Sequence, residues 1–399
     1  LTTVVPTRSP LIWTTIATGR RAEDHGIRRF KTTRIVGLHR DVSELRNPRG
    51  FHAEGFTDVL RATGRIFDTT VTSADRRAPA FWQIASSFGS PVSVINWWAT
   101  WPAEPTLGAI VSERIHFGRL QARGQEVVNE RLTYPEALYE KIRPLVLAPD
   151  DVRLDDAREF LDIDATDFER MRGTDFRHHV LEGEFKYIYS MFETDRRIAL
   201  GLLEQNRNSR GVPDDLWVLF RIIDLACHSA LQYSVLAEDH LDATPDELRK
   251  YGRMVTEAYR HADRAVGEIV RAFGPGNVVI VSDHGFELGM GRNGEKRYVH
   301  NRAPEGIFIA SGPAIRPGRV EGLSIHEVLP LVLYLKDFPV AEDFAGRVPL
   351  EVVDEKFLGV HPMLRIASYG GRDGSATEIE ASQSDEVMLE RLRALGYIQ

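Results

Sequence analysis

Short apolar runs with polar ends set the first reading of this chain. Val278-Val279-Ile280-Val281 is β-branched throughout and reads as a buried strand. Pro91 to Trp98 (PVSVINWW), Leu216 to Ile223 (LWVLFRII) and Gly306 to Ala310 (GIFIA) read as strands for the same reason. A longer amphipathic stretch, Pro245 to Phe273, reads as a helix. It opens on Thr244-Pro245-Asp246-Glu247, a capping box with Pro at the first helical position, and closes at Gly274-Pro275-Gly276. A helix that feeds a buried strand predicts a parallel sheet with crossovers, hence an α/β fold. Residues 125 to 210 break the alternation. They are charged and helical in pattern, as in Pro135 to Ile142 and Asp195 to Gln205, and are expected to form a helical insertion or cap. Gly370 to Ser384 reads as a loop, followed by a short helix from Asp385 to Leu395. No internal repeat is visible, and a single domain over 1–399 is expected.

Composition narrows the functional classes. Of 399 residues, 43% are hydrophobic and 27% charged, which is ample for a packed core. A net charge of -8 with no long basic run argues against a footprint for a nucleic-acid polymer. Cys227 is the one cysteine, so any metal must be held by histidines and carboxylates. No apolar stretch is long enough to span a bilayer. Leu1-Thr2-Thr3-Val4-Val5 reads as mid-domain sequence, so an upstream segment is expected. A signal peptide lost with that segment leaves the compartment unreadable.

The polar ends of the strands carry the candidate chemistry. Ser282-Asp283-His284-Gly285-Phe286 follows the buried run, and an Asp and a His at a strand terminus either close a surface turn or converge on one ion. Asp224 and His228 follow another apolar run. If a helix begins near Leu225, their spacing of four puts both side chains on one face; the alternative is Asp224 as a helix cap with His228 exposed. Ser9 precedes Pro10 and reads as the N-cap of a helix running to about Thr18 and stopping at Gly19. A serine there is also well placed as a nucleophile, because the helix N-terminus favours an alkoxide and a bound phosphate. His300, ahead of the strand 306–310 and after a flexible stretch Gly289 to Gly294, gains weight only as a third ligand beside Asp224 and His228. Trp97, Trp98 and Trp101 cluster where a strand ends and serve either as packing, the favoured reading, or as a pocket wall.

Taken in order, Pro6 to Gly19 with Glu23 to Ile27, then Asp224 and His228, then Asp283-His284-Gly285, then His300 with Gly306 to Pro313, resemble the alkaline phosphatase superfamily. The branch is similar to the type I phosphodiesterase/nucleotide pyrophosphatase family. Ser324 to Gly346 and the ending Arg391 to Ile398 are similar to the C-terminal part of that family. The resemblance implies a central, mostly parallel sheet sandwiched by helices and two divalent metals, zinc by preference with manganese an option. It implies that Asp224, His228 and His300 hold one metal, that Asp283 and His284 hold the other, and that Ser9 is the nucleophile. The substrate class implied is a small-molecule, lipid or nucleotide phosphate ester.

Two departures qualify this. The family's first strand ends in an Asp that completes the second site, and the strand is expected upstream of Leu1. Nucleotide pyrophosphatases carry Thr as nucleophile and an Asn in the site; here Ser9 holds the place, Ile12 one turn on cannot donate, and Arg8 or Asn96 are the candidate substitutes. A phosphotransferase with an alcohol acceptor would use the same residues. A sulfatase is disfavoured because Leu11 and Trp13 stand where its motif needs Pro and Arg. A non-enzymatic binding module is disfavoured because all five visible ligand positions are intact.

Overall fold

A four-stranded sheet organises the first half of the fold, in a computed structural model that describes residues 1–37, 60–117, 121–122, 125–126, 131–174, 180–209, 214–291, 294–373, 379 and 383–394. The elements used below are helix α1 (Ser9–Thr18), strands β1 (Lys31–Ile35) and β2 (Ile66–Thr70), helix α2 (Phe81–Ser87), and strands β3 (Val92–Ile95), β4 (Gly108–Val111) and β5 (Thr133–Tyr134). They continue with helix α3 (Leu181–Ser209), strand β6 (Asp215–Val218), and helices α4 (Ile222–Ala230), α5 (Pro245–Tyr251) and α6 (Met254–Phe273). Strands β7 (Val278–Val281), β8 (Glu287–Met290), β9 (Lys296–Val299) and β10 (Phe308–Ser311) follow, then helices α7 (Val328–Leu335) and α8 (Gln383–Ala394).

The sheet order is β5-β4-β3-β6. β3 runs parallel to both neighbours, with Val94 opposite Ile110 on one side and Trp217 on the other; only β5 is antiparallel. All four residues of β3 are buried, as a parallel strand covered on both faces requires. The α/β class with a mostly parallel sheet is therefore present. The expectation that the 278–281 strand would itself be parallel is corrected: β7 pairs antiparallel with β10, Val281 opposite Phe308. A helix before a strand predicts a crossover, but the partner is chosen by what lies beyond the next hairpin, and here the chain returns through β8 and β9, which pair antiparallel with each other.

Four stretches also differ from the sequence expectation. The run 216–223 is a strand only to Val218, and the α4 helix begins at Ile222. Its apolar continuation serves a second core, where Ile222 and Leu225 pack with Phe185 and Met254. The helix 245–273 is two helices, because the chain turns at Gly252, where a Cβ would stand 2.4 Å from the Leu248 carbonyl oxygen. The stretch 289–294 is ordered strand through Met290, while 292 and 293 lie outside the described residues. The short C-terminal helix runs Gln383–Ala394; 395–399 and much of the loop before it lie outside the described residues.

Within 125–210, where some residues lie outside the described set, three short helices (Leu138–Ile142, Leu154–Phe160, Ala165–Arg172) lead into α3. α3 is a core element: Phe185, Ile188, Met191 and Phe192 are buried with Ala226, Met254 and Ala258. Asp195 on α3 is buried and accepts from Asn96 Nδ2 at 2.7 Å, which ties the helix to the end of β3.

Every residue of α1 is buried. Threonine is tolerated there because Thr14 and Thr18 each donate their hydroxyl to the carbonyl four residues back, both at 2.7 Å. Ile12 is fully buried, and truncating it to alanine should cost about 2–5 kcal/mol. Gly19 ends the helix in the left-handed conformation, φ 64°, with its N–H on the Thr15 carbonyl.

Candidate metal centre and nucleophile

Four chain segments meet in one cluster, and each brings its residues by a different local rule. α4 supplies Asp224 and His228 one turn apart, with Nε2 of His228 3.6 Å from Oδ1 of Asp224. Asp224 is the third residue of that helix, so the reading of Asp224 as its cap is corrected; Arg221 occupies the cap position. β7 supplies Asp283 and His284 immediately beyond its last residue. Gly306 makes that strand end possible. A Cβ there would lie 2.0 Å from the Ser282 carbonyl oxygen, so only glycine lets the two backbones close up. β9 delivers His300 directly after Val299, so His300 follows a strand as well as preceding one.

These side chains converge. Asp224, His228 and His300 present ligand atoms that all lie within 4.8 Å of one another. The two Nε2 atoms of His228 and His300 are 3.1 Å apart. Two nitrogens bound tetrahedrally to one ion at 2.0–2.1 Å stand about 3.3 Å apart, so the pair fits a shared ion. The His284 ring stacks on His300 with centroids 4.0 Å apart, and its Nε2 lies 3.4 Å from Oδ2 of Asp283. Among the described residues, Asp283 Oδ2 and His284 Nε2 are buried side-chain atoms with no hydrogen-bond partner. Such orphans are costly in a dry interior unless something binds them. A nitrogen and carboxylate donor set without thiolate suits zinc or manganese and fits poorly with calcium, which takes oxygen ligands.

Backbone carbonyls set the histidine tautomers. His300 Nδ1 lies 3.2 Å from the Thr7 carbonyl oxygen, and His284 Nδ1 lies 3.0 Å from the Gly285 carbonyl oxygen. A carbonyl can only accept, so Nδ1 carries the proton and Nε2 offers its lone pair. Burial lowers the His228 pKa to about 3 and the His300 pKa to about 4, so both imidazoles are neutral at neutral pH, as ligation requires. Burial raises the Asp283 carboxyl, opposed by nearby His284 and by the Ser9 hydroxyl.

Ser9 is the first residue of α1, not its cap; Arg8 holds the cap position and Pro10 the second helical one. The hydroxyl is therefore not consumed in capping. Ser9 lines the same cleft as Asp224 and Asp283. All six residues singled out in the sequence thus meet in one place.

Sequence reasoning missed Phe286, whose ring packs against those of His228, His284 and His300 at 4.9, 5.9 and 5.5 Å. Its signal was position, two residues beyond His284 in a stretch otherwise polar. Asn96 does not serve as the substitute donor. Its Nδ2 is committed to Asp195 and, at 2.9 Å, to the Leu219 carbonyl, and the residue is fully buried. Arg8 donates to the Arg28 carbonyl at 3.1 Å. Of the tryptophans, Trp97 and Trp101 are core packing, whereas Trp98 is buried in the core and also walls the cleft.

The model of the family described as type I phosphodiesterase / nucleotide pyrophosphatase matches residues 1–302. A solved structure, phosphonoacetate hydrolase from Sinorhizobium meliloti 1021 in complex with phosphonoformate, is similar at 14% identity with a TM-score of 0.35. The match covers 74% of this chain and 49% of that one. The chain thus spans about half the length of that structure. No curated protein matches.

Proposed function

The chain belongs to the type I phosphodiesterase / nucleotide pyrophosphatase family, and on that footing we propose that it is a metal-dependent phosphoric ester hydrolase with Ser9 as its nucleophile. The observation that carries the proposal is the convergence of Asp224, His228 and His300 from a helix and a distant strand end, beside a buried serine at a helix N-terminus.

Asp224, His228 and His300 would hold one divalent ion, and Asp283 with His284 the other. Bound there, the ions supply Lewis-acid stabilisation of charge on the phosphoryl oxygens and lower the pKa of a nearby hydroxyl. The protein's own contribution is positional. The N–H groups of the first turn of α1 point toward an incoming phosphate, and the dipole of that helix favours an anion there. Ser9 Oγ, whose hydroxyl is hydrogen-bonded to the Asp283 carboxylate, loses its proton. It then bonds to phosphorus as the bond to the leaving alcohol breaks, giving a phosphoserine. Water attacks that phosphorus in turn, the phosphorus–Oγ bond breaks, and Ser9 regains a proton. Carbonyl contacts to His284 and His300 keep both rings in the tautomer that leaves Nε2 open throughout. Among the described residues, no helix is long and apolar enough to cross a membrane.

The test is release of 4-nitrophenol from 4-nitrophenyl phosphate and from bis(4-nitrophenyl) phosphate, with zinc or manganese added. Ser9→Ala should remove it; unchanged turnover in that variant would sink the nucleophile assignment. Recovery of phosphate covalently on Ser9 after an acid quench is the complementary positive result.

A further inference from the structure

The cleft beside Ser9 carries two arginines that the hydrolytic machinery does not use. Arg221 caps α4, three residues before Asp224, and its guanidinium lies 4.2 Å from the centre of the Trp98 ring. Arg391 comes from α8, and its guanidinium lies 3.5 Å from the centre of the Tyr187 ring. Both line the cleft, together with Ser9 and Asp283. Both charges also act on the Tyr187 phenol, which burial nonetheless pushes up to about 12. Phe117, Met191 and Met388 add apolar surface to the lining of the same cleft.

We infer that this wall is a recognition subsite for a second anionic group of the substrate, held by Arg221 and Arg391 across an apolar spacer from the phosphoryl group at Ser9. The inference rests on the hydrolase reading for its phosphoryl end only. Stacking a guanidinium on an aromatic face holds its plane, and its five donors in a fixed fork can serve a carboxylate or phosphate beside the partners it already has. Arg391 also pairs with Glu184 at 3.2 Å, but five donors on one guanidinium allow a second acceptor. The wall is held firmly. Asp385, one and a half turns before Arg391, accepts from Arg114 at 2.7 Å and from Thr69 at 2.5 Å, all buried. α8, which carries Arg391, lies beyond residues 1–302, the span matched by the family model.

Calorimetry on the zinc-loaded full chain tests this with three probes of matched length: propylphosphonate, 4-phosphonobutyrate and propane-1,3-diphosphonate. The two probes with a second anionic group should bind at least about ten-fold more tightly than propylphosphonate, as a charge-assisted hydrogen-bonded pair implies. Their order distinguishes a carboxylate from a second phosphoryl group as the preferred anion. In Arg221→Gln that preference should fall to about two-fold or less, and Arg391→Gln should act in the same direction. Equal affinity of all three probes for the unaltered protein, or no binding of any, overturns the inference without reference to a variant that folds poorly. Turnover of bis(4-nitrophenyl) phosphate reads the premise separately. Turnover without the preference removes the subsite and keeps the hydrolase, and the preference without turnover does the reverse.

Discussion

The two halves of the proposed metal centre are built by opposite rules. Asp224 and His228 are neighbours because a helix repeats every 3.6 residues, so one local element aligns both ligands. Asp283 and His284 are adjacent in sequence, where extended backbone would send them to opposite faces; they serve one site only because β7 ends before them. The helical half needs His300 from β9 to be complete, whereas the strand half is joined to it by ring stacking of His284 on His300. A ligand pair written in local periodicity is robust to its surroundings. One placed by a strand terminus depends on the segments packed against that terminus.

Chelation is the broadest way to break this comparison, because it acts on both halves. Exhaustive metal removal should lower turnover by about 10³-fold or more, given several kcal/mol of charge stabilisation, and the far-ultraviolet circular dichroism should barely change. An unfolded apo-protein would show instead that the centre holds the fold together. Next come His228→Ala and His284→Ala, one from each half. Metal analysis should find two ions per chain in the unaltered protein and about one in each variant. Loss of both ions in His284→Ala alone would mean that the helical half relies on its stacked neighbour. Phe286→Ala sharpens the coupling, since its ring touches all three histidines. Metal affinity, measured by competition with a chromophoric chelator, should weaken about ten-fold, the range seen when the shell behind a ligand is disturbed. The smallest effect on the centre is expected from Asn96→Ala, which removes a donor to buried Asp195 away from the ligands. It should cost about 1–3 kcal/mol in urea unfolding while the metal content stays at its original value.

The residues of the proposed centre stood out before the structure because they are polar in places where the apolar pattern calls for none. Asp283-His284 after Val278–Val281 is such a place, and so is His228 in an apolar helix. What the pattern misjudged was where elements end. An apolar run from Leu216 to Ile223 serves as strand and then helix, since both pack into buried surroundings and the pattern records burial without backbone conformation. Ser9 was read as a cap because its type and its Pro neighbour suit that position, but the residue before it took the role. Arg221 and Arg391 carried no sequence signal of their own, and Phe286 only its position beside His284; an arginine that stacks on a tryptophan beyond the neighbouring strand looks in sequence like any surface arginine.

The sequence by itself determined the α/β class, the ligand types and the serine at a helix N-terminus. Each of these follows from local spacing, chain polarity and the chemistry of individual side chains. Only the tertiary structure decided that β7 pairs antiparallel with β10, that the segments bearing Asp224 and His228, Asp283 and His284, and His300 close up beside Ser9, and that α8 brings Arg391 to the cleft wall. Those outcomes depend on contacts between residues far apart in the chain. Their free energy comes from burying surfaces that no local window contains.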